Sequence, residues 1–185
     1  LSSTANYLSF GNAHNLAVNT ETNFAYAIGT NTFGGGLHIV DVSDPINPML
    51  AGSYDGAYSH DIQVVVYHGA DEDYQGSEIV FAFNGSSGIE ILNVEDKTDI
   101  QVISNQTYVD GFYTHQGWLS EDHHMLYFND ELDEMNIGNN TRTYMMNVDD
   151  LDVPVLVGFY ESTNTSIDHN LYTHNGLIYA SNYTS

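Results

Sequence analysis

The chain has 185 residues, 42% of them apolar, and 25 acidic side chains against two basic ones, Lys97 and Arg142, for a net charge of −23. That length and composition suit one domain with a real core and exclude a disordered chain. So acidic a surface repels nucleic acid and anionic lipid and attracts cations. There is no cysteine, which excludes disulfides, thiolate zinc sites and thiol nucleophiles.

In chain order, the first element is the run "AHNLAVN" from Ala13, followed by "FAYAIGT" from Phe24. A longer unit, "GLHIVDVSDPINPMLAGSYDG", starts at Gly36. It is an apolar run ending in Asp41-Val42, an acidic turn at Asp44-Pro45, then a second apolar run. The same order returns in "SHDIQVVVY" from Ser59, "EIVFAFNG" from Glu78 and "GIEILNVEDKTDIQVISNQTYVDG" from Gly88. It returns again in "THQGWLS" from Thr114, "HMLYFND" from His124 and "RTYMMNVDDLDVPVLVGFYES" from Arg142. A last half-unit reads "DHNLYTH" from Asp168 and "LIYASNY" from Leu177. The runs are rich in Val, Ile, Tyr and Phe and are bounded by Gly, Asn, Asp and Pro, the pattern of short strands and tight turns. The middle turn, Asp96-Lys97, lacks the prolines of the first and third copies, so a different construction is expected there.

Four short strands per unit is the signature of a β-propeller blade. The predicted fold is all-β, a propeller of four-stranded blades with about three and a half present: residues 13–58, 59–113, 114–167 and an incomplete 168–185. The near-continuous apolar runs fit sheets covered on both faces by their neighbours. A small open sandwich is the structural alternative. Because propellers close with about four to eight blades, the chain is expected to be a piece of a longer one. No apolar run is long enough to span a bilayer and no leader is visible.

The motifs "GGLHIVDVSDP", "YTHQGW", "NDELDE", "RTY" and "IDHNLY…SNYTS" together resemble the choice-of-anchor B family, whose repeats are of the LVIVD type. The resemblance runs from about Asn12 to Ser185. It implies an exported, surface-associated protein with a propeller-like domain and a variable C-terminal anchor, which would lie beyond "SNYTS". It brings no established activity and no catalytic residues.

Four histidines hold one position in successive units: His14, His60, His115 and His169, spaced 46, 55 and 54 residues apart. Rotation about a channel axis would bring such positions together, and neutral imidazoles are ligands for iron, copper, zinc or nickel. The competing reading is a structural histidine that bonds within its own blade, as in WD-type repeats. A shared metal requires imidazole nitrogens within about 6 Å of one another, since metal–nitrogen bonds are about 2 Å.

Two acidic segments are candidate cation sites. "DEDYQGSE" sets Asp71, Asp73 and Gln75 at alternate positions before Gly76, part of a calcium-loop pattern. The twelfth position falls on Ala82, which excludes an EF-hand and leaves a calcium-bearing hairpin loop or a solvated turn. "NDELDE" carries Asp130, Glu131, Asp133 and Glu134. On an extended strand these alternate between faces, so they converge only if the backbone turns. Pairing with Arg142, a divalent ion, or a plain acidic loop would each accommodate them. Five sequons, at Asn84, Asn105, Asn139, Asn164 and Asn182, matter only in a eukaryotic secreted protein.

Nucleophilic catalysis lacks a signature: there is no Gly-x-Ser-x-Gly elbow, and the neighbours His60–Asp61 and Asp168–His169 point to opposite faces of a strand. Gly34–Gly36 precedes a strand and not a helix, against a phosphate loop. The leading expectation is an extracellular or cell-surface binding or structural module, stabilised by cations, with calcium as the candidate ion and a protein or glycan as partner. The alternatives are a metalloenzyme with a transition metal on the histidines and a subunit of an extracellular assembly.

Overall fold

A computed structural model of the chain describes residues 5–184; Ser185, the last residue of the fourth unit, lies outside them. Three four-stranded antiparallel sheets and one two-stranded sheet follow one another, each in chain order. The first holds β1 (Asn15–Asn19), β2 (Phe24–Ile28), β3 (Leu37–Asp41) and β4 (Met49–Tyr54). The second holds β5 (Asp61–Val66), β6 (Glu78–Phe83), β7 (Ile89–Asn93) and β8 (Gln101–Gln106). The third holds β9 (Thr114–Leu119), β10 (Met125–Asp130), β11 (Arg142–Asn147) and β12 (Val155–Glu161). The fourth pairs β13 (Asp168–His174) with β14 (Leu177–Asn182). The first strands β1, β5, β9 and β13 contact one another in that order. This is an all-β, propeller-like arrangement of radial blades.

Sandwiching explains the apolar runs. Every residue of β6 is buried. Alternation sends Ile79, Phe81 and Phe83 into a cluster with Leu119, Leu126 and Phe128 of the third sheet. It sends Val80 and Ala82 into a cluster with Tyr26, Ile28 and Ile39 of the first. A strand covered on both sides has no polar face to offer.

Repetition extends to backbone detail. The pairing of third and fourth strands slips at Ile39/Val40, at Ile91/Leu92 and at Met145/Met146, one bulge at one place in each four-stranded sheet. The Asp/Asn-Val signature is an Asx turn: Asp41, Asn93 and Asn147 accept from the backbone N–H of Ser43, Glu95 and Asp149 at 2.8, 3.0 and 3.1 Å. A second follows at Asp44, Asp96 and Asp150, which accept from Ile46, Thr98 and Asp152 at 3.1, 2.9 and 3.1 Å. The middle turn is therefore built like the others, contrary to expectation. The aspartate carboxylate shapes it, so proline is dispensable.

Between the second and third strands the third sheet carries a short α-helix, α1 (Asp133–Ile137), where the first sheet has only a three-residue 3-10 turn, Phe33–Gly35. The helix ends at Gly138, whose φ of 71° is left-handed and whose N–H donates to the Glu134 carbonyl. This helix supplies the backbone turn that the acidic segment needed.

Candidate functional site

His14 and His60 immediately precede the first strands of their sheets, and His115 and His169 are the second residues of theirs, so the contact between first strands stacks them. His14 and His60 have ring centroids 4.0 Å apart, His60 and His115 4.4 Å, His115 and His169 4.5 Å. They form a row along the inner arc and not four donors around a point. Nδ1 of His60 donates to the carbonyl of His115, 3.2 Å away in the next sheet. A carbonyl only accepts, so His60 carries its proton on Nδ1 and leaves Nε2 with a lone pair. The histidine thus ties one blade to the next, where a bond within its own blade was the structural expectation. Sequential contact of the first strands is the reason.

Within the row, His60, His115 and Glu131 each offer a ligand atom, and these atoms lie within 4.8 Å of one another. His14 and His169 flank that set without joining it. His115 Nε2 is 3.8 Å from Glu131 Oε2, and its buried Nδ1 has no hydrogen-bond partner. Burial, reinforced by His14, lowers the His60 imidazole below its ordinary value. Burial pushes His115 down to about 4, against the opposing pull of Glu131. Both rings are neutral at pH 7 and competent as ligands.

Polar side chains on the same strands are largely engaged between sheets. Asn15 donates to Asp61 at 2.7 Å. Gln63 accepts from the N–H of Leu119 at 2.7 Å, and Gln116 from that of Leu171 at 2.8 Å. A depression of about 320 Å³ opens over these strands, with Asn15, Asp61, Gln116, Trp118 and Tyr172 in its wall. Trp118 meets Tyr172 of the fourth sheet edge-on at 4.9 Å.

The segment "NDELDE" divides into three roles. Asp130, at the end of β10, is fully buried. It accepts from Tyr108 Oη at 2.8 Å and from the N–H groups of Phe112, Tyr113 and Leu132 at 2.6, 2.9 and 3.1 Å. It is a loop staple with its oxygens filled. Glu131 faces the histidine row and accepts from Tyr183 Oη of the fourth sheet. Asp133 and Glu134, in α1, turn the other way and meet Asp168, the first residue of β13. Ligand atoms of these three carboxylates lie within 4.8 Å of one another.

That trio is buried: Asp133 is 0% exposed, Asp168 2% and Glu134 9%. Tyr144 Oη donates to Asp133 at 2.8 Å, and the Asp168 N–H to Glu134 at 3.3 Å. Asp133 Oδ1, Glu134 Oε2 and both carboxylate oxygens of Asp168 have no partner. Burial, then repulsion from Glu134 and Asp133, pushes Asp168 up to about 9. Burial and Asp133 push Glu134 up to about 7, and burial raises Asp133.

Arg142 does not relieve this cluster, so the first of the three arrangements considered for the acidic segment is not made. Its Nε donates to Glu161 at 2.7 Å, directly across the β11–β12 ladder, and its guanidinium lies 4.3 Å from the Phe159 ring. The calcium-loop pattern is not assembled either. Gln75 spends its amide on the Gly69 carbonyl at 2.9 Å, and Asp71 accepts from the Leu151 N–H at 2.9 Å. Asp71 gathers instead with Asp150 and Asp152 of the third sheet, both exposed, in a group that does not include Asp73. Of the sequons, Asn84 is 4% exposed and donates to Glu90 at 2.8 Å, so its amide is closed to a glycan in this fold. Asn105, Asn139, Asn164 and Asn182 are exposed or half-buried.

Sequence reasoning passed over Asp168 as a carboxylate of the acidic group, Asp150 and Asp152, and a second histidine contact. His68 and His123, from the second and third sheets, stack with centroids 3.7 Å apart. Burial and His68 push His123 down to about 4.

No curated protein matches the chain. Residues 10–56, which hold the whole first sheet, match the family model of the LVIVD repeat, the same unit that the three bulges and paired Asx turns repeat along the chain.

Proposed function

We propose that the chain is an exported or cell-surface propeller-like module of the choice-of-anchor B type. It binds a protein or glycan or serves a structural role, and cations contribute to its stability. One observation carries the cation dependence: neither basic side chain is left over. Lys97 Nζ sits 2.8 Å from Glu78 Oε2, and Arg142 is committed to Glu161. The remaining carboxylates of a chain at −23 repel one another with no internal cation, and dissolved ions must supply the screening. Melting should therefore rise by several degrees from low to high NaCl, roughly 2–4 °C for each kcal/mol of repulsion removed. A flat or falling melting curve would count against the reading.

A second reading is favoured by the convergence of His60, His115 and Glu131. Two neutral imidazoles and a carboxylate are a donor set for zinc, iron or copper, and a metal there would belong to an enzyme working at the inner arc. Elemental analysis of the purified chain separates the readings, since the enzyme requires a stoichiometric transition metal.

A further inference from the structure

We infer that Asp133, Glu134 and Asp168 hold one hard divalent cation, of the calcium class, where α1 of the third sheet meets β13 of the fourth. The chain itself shows what burying a carboxylate requires. Glu78 is 1% exposed, and it is met by Lys97 at 2.8 Å and by Asn19 and Thr22 at 2.7 Å each. Asp130 is 0% exposed and is filled by one hydroxyl and three N–H donors. Asp133, Glu134 and Asp168 are comparably buried, yet four of their six carboxylate oxygens have no donor. The chain's two basic side chains are both paired elsewhere. Buried carboxylates gathered this way must take up protons or share a cation, and the cation is the alternative that leaves every free oxygen a ligand.

Asp168 makes the case more than an acidic cluster. It comes from another sheet, 34 residues beyond Glu134, and it enters the group with both oxygens unpartnered at 2% exposure. The donor set is all carboxylate oxygen, which selects calcium or magnesium over metals that prefer nitrogen or sulfur.

The assignment rests on the cation-stabilised reading above and gives it a location. The test is calcium binding by the intact chain, measured by equilibrium dialysis and calorimetry in physiological NaCl, with melting in parallel. One calcium per chain is expected. Asp168→Asn and Asp133→Asn should each weaken binding by at least about tenfold, while Asp71→Asn, in the exposed group with Asp150 and Asp152, should leave it unchanged. Asp168→Asn should fold, because it replaces a carboxyl that is costly to bury with a neutral amide of the same shape. Without calcium it should melt higher than the wild type, and calcium should no longer shift it. Absence of stoichiometric calcium on folded wild-type chain, or unchanged binding by Asp168→Asn, overturns the assignment. If NaCl alone still raises melting in that event, the general screening stands and only the site is lost; if NaCl also has no effect, both fail.

Discussion

Truncating His115 to alanine separates a histidine that packs the blades together from one that holds a metal. The imidazole is 3% exposed, lies between the rings of His60 and His169 at 4.4 and 4.5 Å, and faces Glu131. Those neighbours are anchored at the starts of β5 and β13, so they cannot close over the space left behind. Loss of a buried side chain of this size with incomplete collapse costs ~2–4 kcal/mol. Over a chain of this length that corresponds to a melting decrease of roughly 4–16 °C. The assay is thermal unfolding followed by circular dichroism and by fluorescence of Trp118, which packs on Tyr172 and reports the junction of the third and fourth sheets. Elemental analysis accompanies it. A structural row predicts the full loss of stability with no change in metal content. Melting within about 2 °C of wild type, well under the loss expected for a filled site, together with disappearance of a stoichiometric transition metal, would refute the packing role and establish the metal.

Two further outcomes test the sandwich and its titrating groups. Phe81→Ala should cost ~3–5 kcal/mol and Val80→Ala ~2–3 kcal/mol in urea unfolding, because the two residues face opposite sheets and both are fully buried. A β6 covered on one side would make one of the two substitutions nearly silent. His123 is neutral when folded, with its imidazole lowered from 6.5 to about 4. The unfolded chain takes up that proton first, so the stability is fully present above pH 6.5 and is lost as pH falls towards 4. The loss is on the order of 3 kcal/mol. His123→Gln should flatten that acid limb in urea midpoints measured across the range, and an unchanged limb would mean the ring is charged when folded.

Strand order and the repeat were readable because they are set by local chemistry. Val, Ile and Phe runs make the strands, and an Asp or Asn followed two residues later by an N–H makes the turn. That chemistry recurs with the repeat, and the fold class follows from it. The helix α1 was less readable: "DEMNI" is too short to show a helical period. Its presence is signalled only by Gly138 in the left-handed region. Arg142 was misassigned for a related reason. Proximity in sequence to "NDELDE" suggested a partner, but the β11–β12 register places Glu161 opposite it, and a cross-strand neighbour wins over one that the chain must turn back to reach.

Asp168 shows most clearly what one-dimensional spacing conceals. In the sequence it stands beside His169 and invites reading as half of a dyad. Strand alternation rules that out, since neighbours on a strand point to opposite faces. The same alternation, applied to β13, decides what each residue joins. His169 stacks on His115 in the row along the inner arc, so Asp168 must face away from that row. On that side the third sheet presents α1, longer than the 3-10 turn at the same place in the first sheet, with Asp133 and Glu134 in its first turn. No partner of Asp168 in the acidic group lies within thirty residues of it in sequence, so spacing alone never gathers the three. The repeat therefore accounts for the histidines, and the departure from the repeat accounts for the carboxylates. A buried charge assembled by a single short helix is a property of this one junction, which is why the cation test belongs there and not along the histidine row.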